Sequence, residues 1–127
     1  MRDLFHNIST RVALAPAVQA AAASGEVIDL KGSSRVAFSV VTGAIAGDGD
    51  FGVKMQESDT TTSGDFTDVA ADQVSTNAPA TLAAASAYRL GYSGFKRYVR
   101  LALTKAGGTS IALGAVALLD PLDKPVA

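Results

Sequence analysis

Residues 47 to 52 read GDGDFG, which satisfies the spacing G-x-G-x-x-G that lays a pyrophosphate against the start of a helix. That chemistry needs a helix after the last glycine, because the free N–H groups of a helix start hold the phosphate. Here the following residues alternate instead, with Phe51, Val53 and Met55 apolar and Lys54 and Gln56 polar. Period two is the mark of a strand. Asp48 and Asp50 would also repel a phosphate, so the hexapeptide reads as a turn. The same aspartates suit a cation in type, but the ligand series and closing glutamate of a calcium loop are missing.

A second stretch, GYSGF, sets Ser93 in a nucleophile elbow that fails at Phe95, where the second glycine belongs. The available base is His6, the chain's one histidine, in a terminal segment. The twelve carboxylates are scattered over turns and loops, and spacing marks no pair as acid and base. With no cysteine, disulfide, thiolate and Cys-ligated zinc chemistry are absent. The reading is a protein that is not an enzyme and has no cofactor or metal site.

Cations offer the remaining chemistry. Residues 91 to 105, GYSGFKRYVRLALTK, gather four of the eleven Lys and Arg beside three aromatic rings. Period two places Val99, Leu101 and Leu103 on one face and Tyr98, Arg100, Ala102 and Thr104 on the other, so this is one wall of a core with a basic outer side. A platform for single-stranded nucleic acid needs exposed aromatics and cations over more than one strand. Eleven basic residues against twelve acidic ones also leave no general positive field. Direct nucleic-acid binding is not expected, whereas Arg and Tyr on such a face suit a protein interface.

The elements around these residues read as strands. Alternation marks Val36 to Thr42 and Phe51 to Glu57, and the Gly- and Asp-rich segment between them predicts a hairpin or slightly longer meander. Further strands are expected at Val27 to Leu30, Phe66 to Val69, Tyr88 to Tyr92, Tyr98 to Thr104 and Ile111 to Leu119. Short strands at this spacing predict an all-β antiparallel sandwich or barrel. The last strand, IALGAVALL, is apolar on both faces, so it is either central in its sheet or covered by something else. Two Ala-rich stretches, 13 to 23 and 78 to 87, each contain a proline and read as arm, loop or irregular strand.

At 127 residues the chain fits one domain. Apolar residues reach 48%, but Ala and Val dominate them, so the core is built from small side chains. No apolar stretch is long and clean enough to cross a bilayer. Asp3, Pro16 and the excess of Ala over Leu argue against a signal peptide in residues 12 to 24. The first residues, MRDLFHNISTR, carry Leu4, Phe5 and Ile8 between Arg2 and Arg11. Free termini seldom hold such anchors, so residues 1–16 are expected to be an extended N-terminal arm that docks on a neighbour, with the sandwich in residues 17–127.

The blocks GEVIDLKGSSRVAFSVVTG, DFGVKMQESDTTTSGDFTDV and YRLGYSGFKRYVRLALT, in that order, resemble a family of small virion proteins of tailed bacteriophages and related prophages. The likeness covers roughly residues 17 to 119 and is clearest at Ile28 to Leu30, Glu57 to Asp59, Phe66 to Val69 and Tyr92 to Arg100. RYVR also resembles a strand of discoidin-type jelly rolls. The resemblance implies a jelly-roll sandwich of about eight strands acting as a capsid cement or decoration protein. Such a protein is made in the bacterial cytoplasm, sits on the outer capsid surface, commonly as a homotrimer, and binds the major capsid protein and copies of itself. Arg2, Leu4, Phe5, Ile8, Arg11, Tyr98 and Arg100 are the expected partner-binding residues. Alternatives are a tail or head-to-tail connector protein, or a virion-surface carbohydrate-binding module using loop 57 to 65 with an exposed face of Tyr98 and Arg100.

Overall fold

The computed structural model describes residues 3–122, which form an all-β sandwich of two antiparallel sheets. In chain order the strands are β1 (Ser9–Gln19), β2 (Ala23–Ser24), β3 (Ile28–Asp29), β4 (Ser33–Ala46) and β5 (Asp50–Ser58). They continue with β6 (Thr67–Asp68), β7 (Val74–Thr76), β8 (Ala87–Tyr92), β9 (Tyr98–Gly107) and β10 (Ser110–Pro121). The first sheet runs β1-β10-β4-β8-β7 and the second β2-β9-β5-β6, with β3 also paired to β9.

Alternation decides which side of each strand enters the core. Val36, Phe38 and Val40 of β4 face Val99, Leu101 and Leu103 of β9 across the sandwich, and all six are buried. Phe51 and Met55 of β5 and Ile111, Leu113 and Leu119 of β10 complete this layer. The loop between β7 and β8 contributes Leu82, fully buried, whose N–H donates to the Phe51 carbonyl at 2.8 Å. Thr42, also buried, secures the same loop: its hydroxyl donates to the Ala83 carbonyl at 2.6 Å and accepts from the Ser86 N–H at 2.9 Å.

Two expectations need correction. β4 and β5 do not pair as a hairpin: β4 lies between β10 and β8, and β5 between β9 and β6. The Gly47-Asp48-Gly49 segment is a corner between sheets, reached through positive φ at Gly47 and Asp48. A second corner, between β9 and β10, packs on it so closely that Gly108, at φ +77°, has no room for a Cβ against the Asp48 carbonyl and Gly49. Short Gly-rich turns serve both connections, and the core-facing side chains of β5 pair it with β9.

The arm boundary at residue 16 also falls inside a strand. β1 pairs with β10 from Ser9↔Leu119 to Gln19↔Ile111, and its Ala13 and Leu14 belong to the core. Its register shifts between Val12 and Leu14 and again between Leu14 and Ala17, so the period is broken. Pro16 is tolerated because β1 is an edge strand, where a missing N–H breaks no ladder bond. Among the described residues, only 3–8 lie ahead of the sheet, with a 3-10 turn at Phe5–Asn7.

Candidate interaction surfaces

One end of the sandwich collects the segment 3–8 and the loops after β3, β5 and β8. The loop after β8 is fastened there by three polar clamps. Arg97 donates from Nε and Nη2 to both carboxylate oxygens of Asp29, each at 2.9 Å. These bonds, with a further one from the Lys31 N–H, hold the Asp29 carboxyl down at about 2. Lys96 pairs with Asp59 at 2.8 Å, which raises its ammonium pKa. The Tyr92 hydroxyl donates to Glu57 Oε1 at 2.6 Å and accepts from the Lys96 N–H at 3.0 Å. Burial, reinforced by the Glu57 carboxylate, pushes the phenol up to about 12.

Large apolar side chains stand out on this braced end. Leu4 is 64% exposed, Phe5 76%, Phe95 83% and Leu122 68%. The Leu122 N–H donates to the Gly32 carbonyl, which ties that residue to the loop after β3. Beside Leu4 and Ile8 runs a groove of about 450 Å³ whose far wall includes Val36, Tyr92, Ser93 and Leu118. His6, the one imidazole, is engaged with Asp3, and Phe5 meets its ring edge-on at 4.9 Å.

The outer face of the β1-β10-β4 sheet forms a second apolar surface. In the middle of β10 the outward residues are Ala112, Gly114, Val116 and Leu118, none of them charged and all only half-buried, and at its end Asp120 pairs with Arg35 of β4 at 2.7 Å. Val12 and Val18 of β1 and Val41 of β4 stand on either side, exposed, so no described segment lies over the sheet. Between them is a groove of about 750 Å³. β10 is thus interior in its sheet, with β1 and β4 on either side, while its apolar outer side is left uncovered by any described segment.

The outer face of the second sheet is polar. Lys54 pairs with Asp68 at 3.2 Å, and Gln56 donates to Asp68 Oδ1 at 3.1 Å. Both bonds hold the Asp68 carboxyl below its usual range, the Gln56 bond most strongly. Arg100 donates from Nε to Gln56 Oε1 at 2.8 Å and lies 4.3 Å from the Phe66 ring centroid. It is only 8% exposed, which corrects its expected availability to a partner. Tyr98, half-buried, carries the Arg97 guanidinium at 4.9 Å from its ring centroid.

The expected partner-binding residues therefore do not form one site. Leu4, Phe5 and Ile8 share the loop end, Arg11 lines the edge of the apolar groove on β1, and Tyr98 and Arg100 lie on the polar sheet. Arg2 lies outside the described residues. Sequence reasoning passed over Phe95, Leu122, Val12, Val18 and Val41, and only the doubly apolar pattern of β10 signalled the second surface. Asp50 accepts a bond from the Thr81 hydroxyl at 2.7 Å, a structural use of the turn. Among the described residues, no group of three or more His, Cys, Asp or Glu is placed to hold a metal, and no helix is long and apolar enough to cross a membrane. No family model matches the chain, and neither a curated protein nor a solved structure matches it.

Proposed function

We propose that the chain is a cement or decoration protein of a tailed-bacteriophage particle, made in the bacterial cytoplasm and bound to the outer surface of the major capsid protein lattice. The observation that carries this reading is the loop end, where Phe95 is exposed on a loop held by Arg97–Asp29, Lys96–Asp59 and Tyr92–Glu57, with Leu4, Phe5 and Leu122 exposed at the same end. Rigid, exposed apolar anchors lose little entropy on docking, which is the property of an interface hot spot. A protein that binds the assembled lattice stabilises it by mass action.

We read the order β1-β10-β4-β8 facing β3-β9-β5-β6 as a jelly roll, an architecture used by viral capsid and lectin domains. Architecture alone assigns no activity. The choice of a virion rests on the resemblance of YSGFKRYVR and its neighbouring blocks. The test is the double variant Leu4→Ala/Phe5→Ala, added to purified shells that lack the protein. Binding should weaken at least about tenfold, since two apolar anchors are truncated, while the urea midpoint stays unchanged. Wild-type occupancy by the variant refutes the docking end. A copy number far below that of the capsid lattice assigns the chain instead to the connector or tail.

A second reading, a carbohydrate-binding module, is favoured by Phe95, whose ring stands beside the Lys96–Asp59 pair and the polar loop Ser58 to Asp65. Phe95→Ala abolishing a defined glycan-array signal would support it.

A further inference from the structure

We infer that the outer face of β1, β10 and β4 is the contact between copies of this chain, each laying this face on the same face of its neighbour. The contact is separate from the loop end and does not depend on which larger assembly the protein joins. Its first support is relief. The floor of the groove is made of Ala112, Gly114 and Gly43, with Pro16 closing over Gly114, and the ridges are Val12, Val18 and Val41. One surface thus holds both knobs and hollows. A contact between identical faces requires this, because each copy must supply what the other receives.

Charge points the same way. From Ala112 to Leu118 the outward positions of β10 carry no charge, and the flanking Ser39, Val41 and Gly43 of β4 carry none either; the charge at the end of the strand, Asp120, is paired with Arg35 of β4 at 2.7 Å. A charged partner would find no charge in the middle of this face to pair with, and the opposite sheet pairs Lys54 with Asp68. Arg11 lies at the margin on the edge strand, where its guanidinium keeps its water when two faces meet. Small, β-rich side chains at period two are also what lets sheets stack about 10 Å apart.

Size is sufficient. Strands about 4.8 Å apart and rising about 3.4 Å per residue make three strands of about ten residues a face of about 500 Å². Two such faces bury about 1,000 Å², before side-chain relief adds to it, which reaches the lower bound for a specific protein contact.

The experiment is sedimentation equilibrium on the full chain, comparing wild type with Val12→Glu/Val41→Glu and with Lys54→Glu on the opposite sheet. Val12 and Val41 are exposed, so the charges enter without disturbing the core; circular dichroism and a urea melt check this, and the single variant Val12→Glu serves if the double does not fold. Wild type should be a concentration-dependent oligomer. The double variant should dissociate at least about tenfold more readily, with Lys54→Glu unchanged. A wild type that stays monomeric overturns the inference, as does an oligomer indifferent to the two glutamates. Loss of shell binding by the double variant, with a monomeric wild type, gives this face to the shell and also overturns it. Failure of Leu4→Ala/Phe5→Ala to affect shell binding strikes the docking end alone.

Discussion

Removing one oxygen atom, in Tyr92→Phe, tests the bracing of the loop end. The hydroxyl joins the two sheets, since Tyr92 closes β8 in one and Glu57 belongs to β5 in the other. Its bond to the carboxylate is charge-assisted and contributes about 1.5 kcal/mol, and its bond from the Lys96 N–H about 0.5 kcal/mol. The expected loss is about 2 kcal/mol, or about 7 °C in Tm for 127 residues. In urea the midpoint should fall while the slope stays constant.

The pH dependence supplies an independent check. Because the folded phenol titrates at about 12 and a solvent-exposed one at about 10, its contribution is full below pH 10 and is lost as pH rises toward 12. The gap between wild type and Tyr92→Phe should therefore shrink over that interval. Lys96 also weakens in alkali, but it is common to both proteins and cancels in the difference. A gap below about 0.5 kcal/mol at neutral pH, or one that stays constant through pH 12, refutes the reasoning.

Other perturbations probe the rest of the fold. Thr42→Val should cost about 1–2 kcal/mol in urea unfolding, because the loop carrying Leu82 loses its hydroxyl partner. Gly108→Ala, strained at positive φ and without space for a Cβ, should cost about 2–4 kcal/mol and lower the yield of folded protein. Arg100→Ala should destabilise by about 1–2 kcal/mol through the exposed Phe66 ring and the loss of the donor to Gln56 Oε1, yet leave shell binding unchanged. Asp29 is depressed to about 2 when folded, so its contribution is present above pH 4 and lost on acidification toward pH 2. Asp29→Asn should flatten that part of the acid melt, by no more than about 1 kcal/mol because solvent screens the pair.

Much of this molecule could be read from alternation. The inward and outward sides of β4, β5 and β9 follow from Val36 to Val40, Phe51 to Met55 and Val99 to Leu103, because a half-buried strand places each second residue in the core. The Gly47–Gly49 turn was legible as a turn but not as a corner, since a short Gly-rich link serves a hairpin and a change of sheet equally. β1 was hidden for a different reason. Its two register shifts break the period, and Pro16 and the run of alanines remove the usual strand residues. The loop end was half legible: Leu4 and Phe5 announce themselves as apolar residues near a terminus, whereas the exposure of Phe95 depends on how Arg97, Lys96 and Tyr92 pin its loop. Arg100 was assigned the correct side of its strand, but its cover comes from Phe66, a residue whose approach no local pattern encodes.

The placement of β10 has a consequence for synthesis. Its register joins Ser9 to Leu119 and Leu119 to Val36, so a strand made about a hundred residues after β1 is inserted between β1 and β4. Until then β1 has no partner in its sheet, and Val36, Phe38 and Val40 lack one neighbouring strand. Folding of this sheet must therefore wait for residues 110 to 121 and is slow, as pairing across such sequence separation demands. A chain stalled before residue 110 would present two unsatisfied strand edges, which makes the nascent protein a natural client for chaperones.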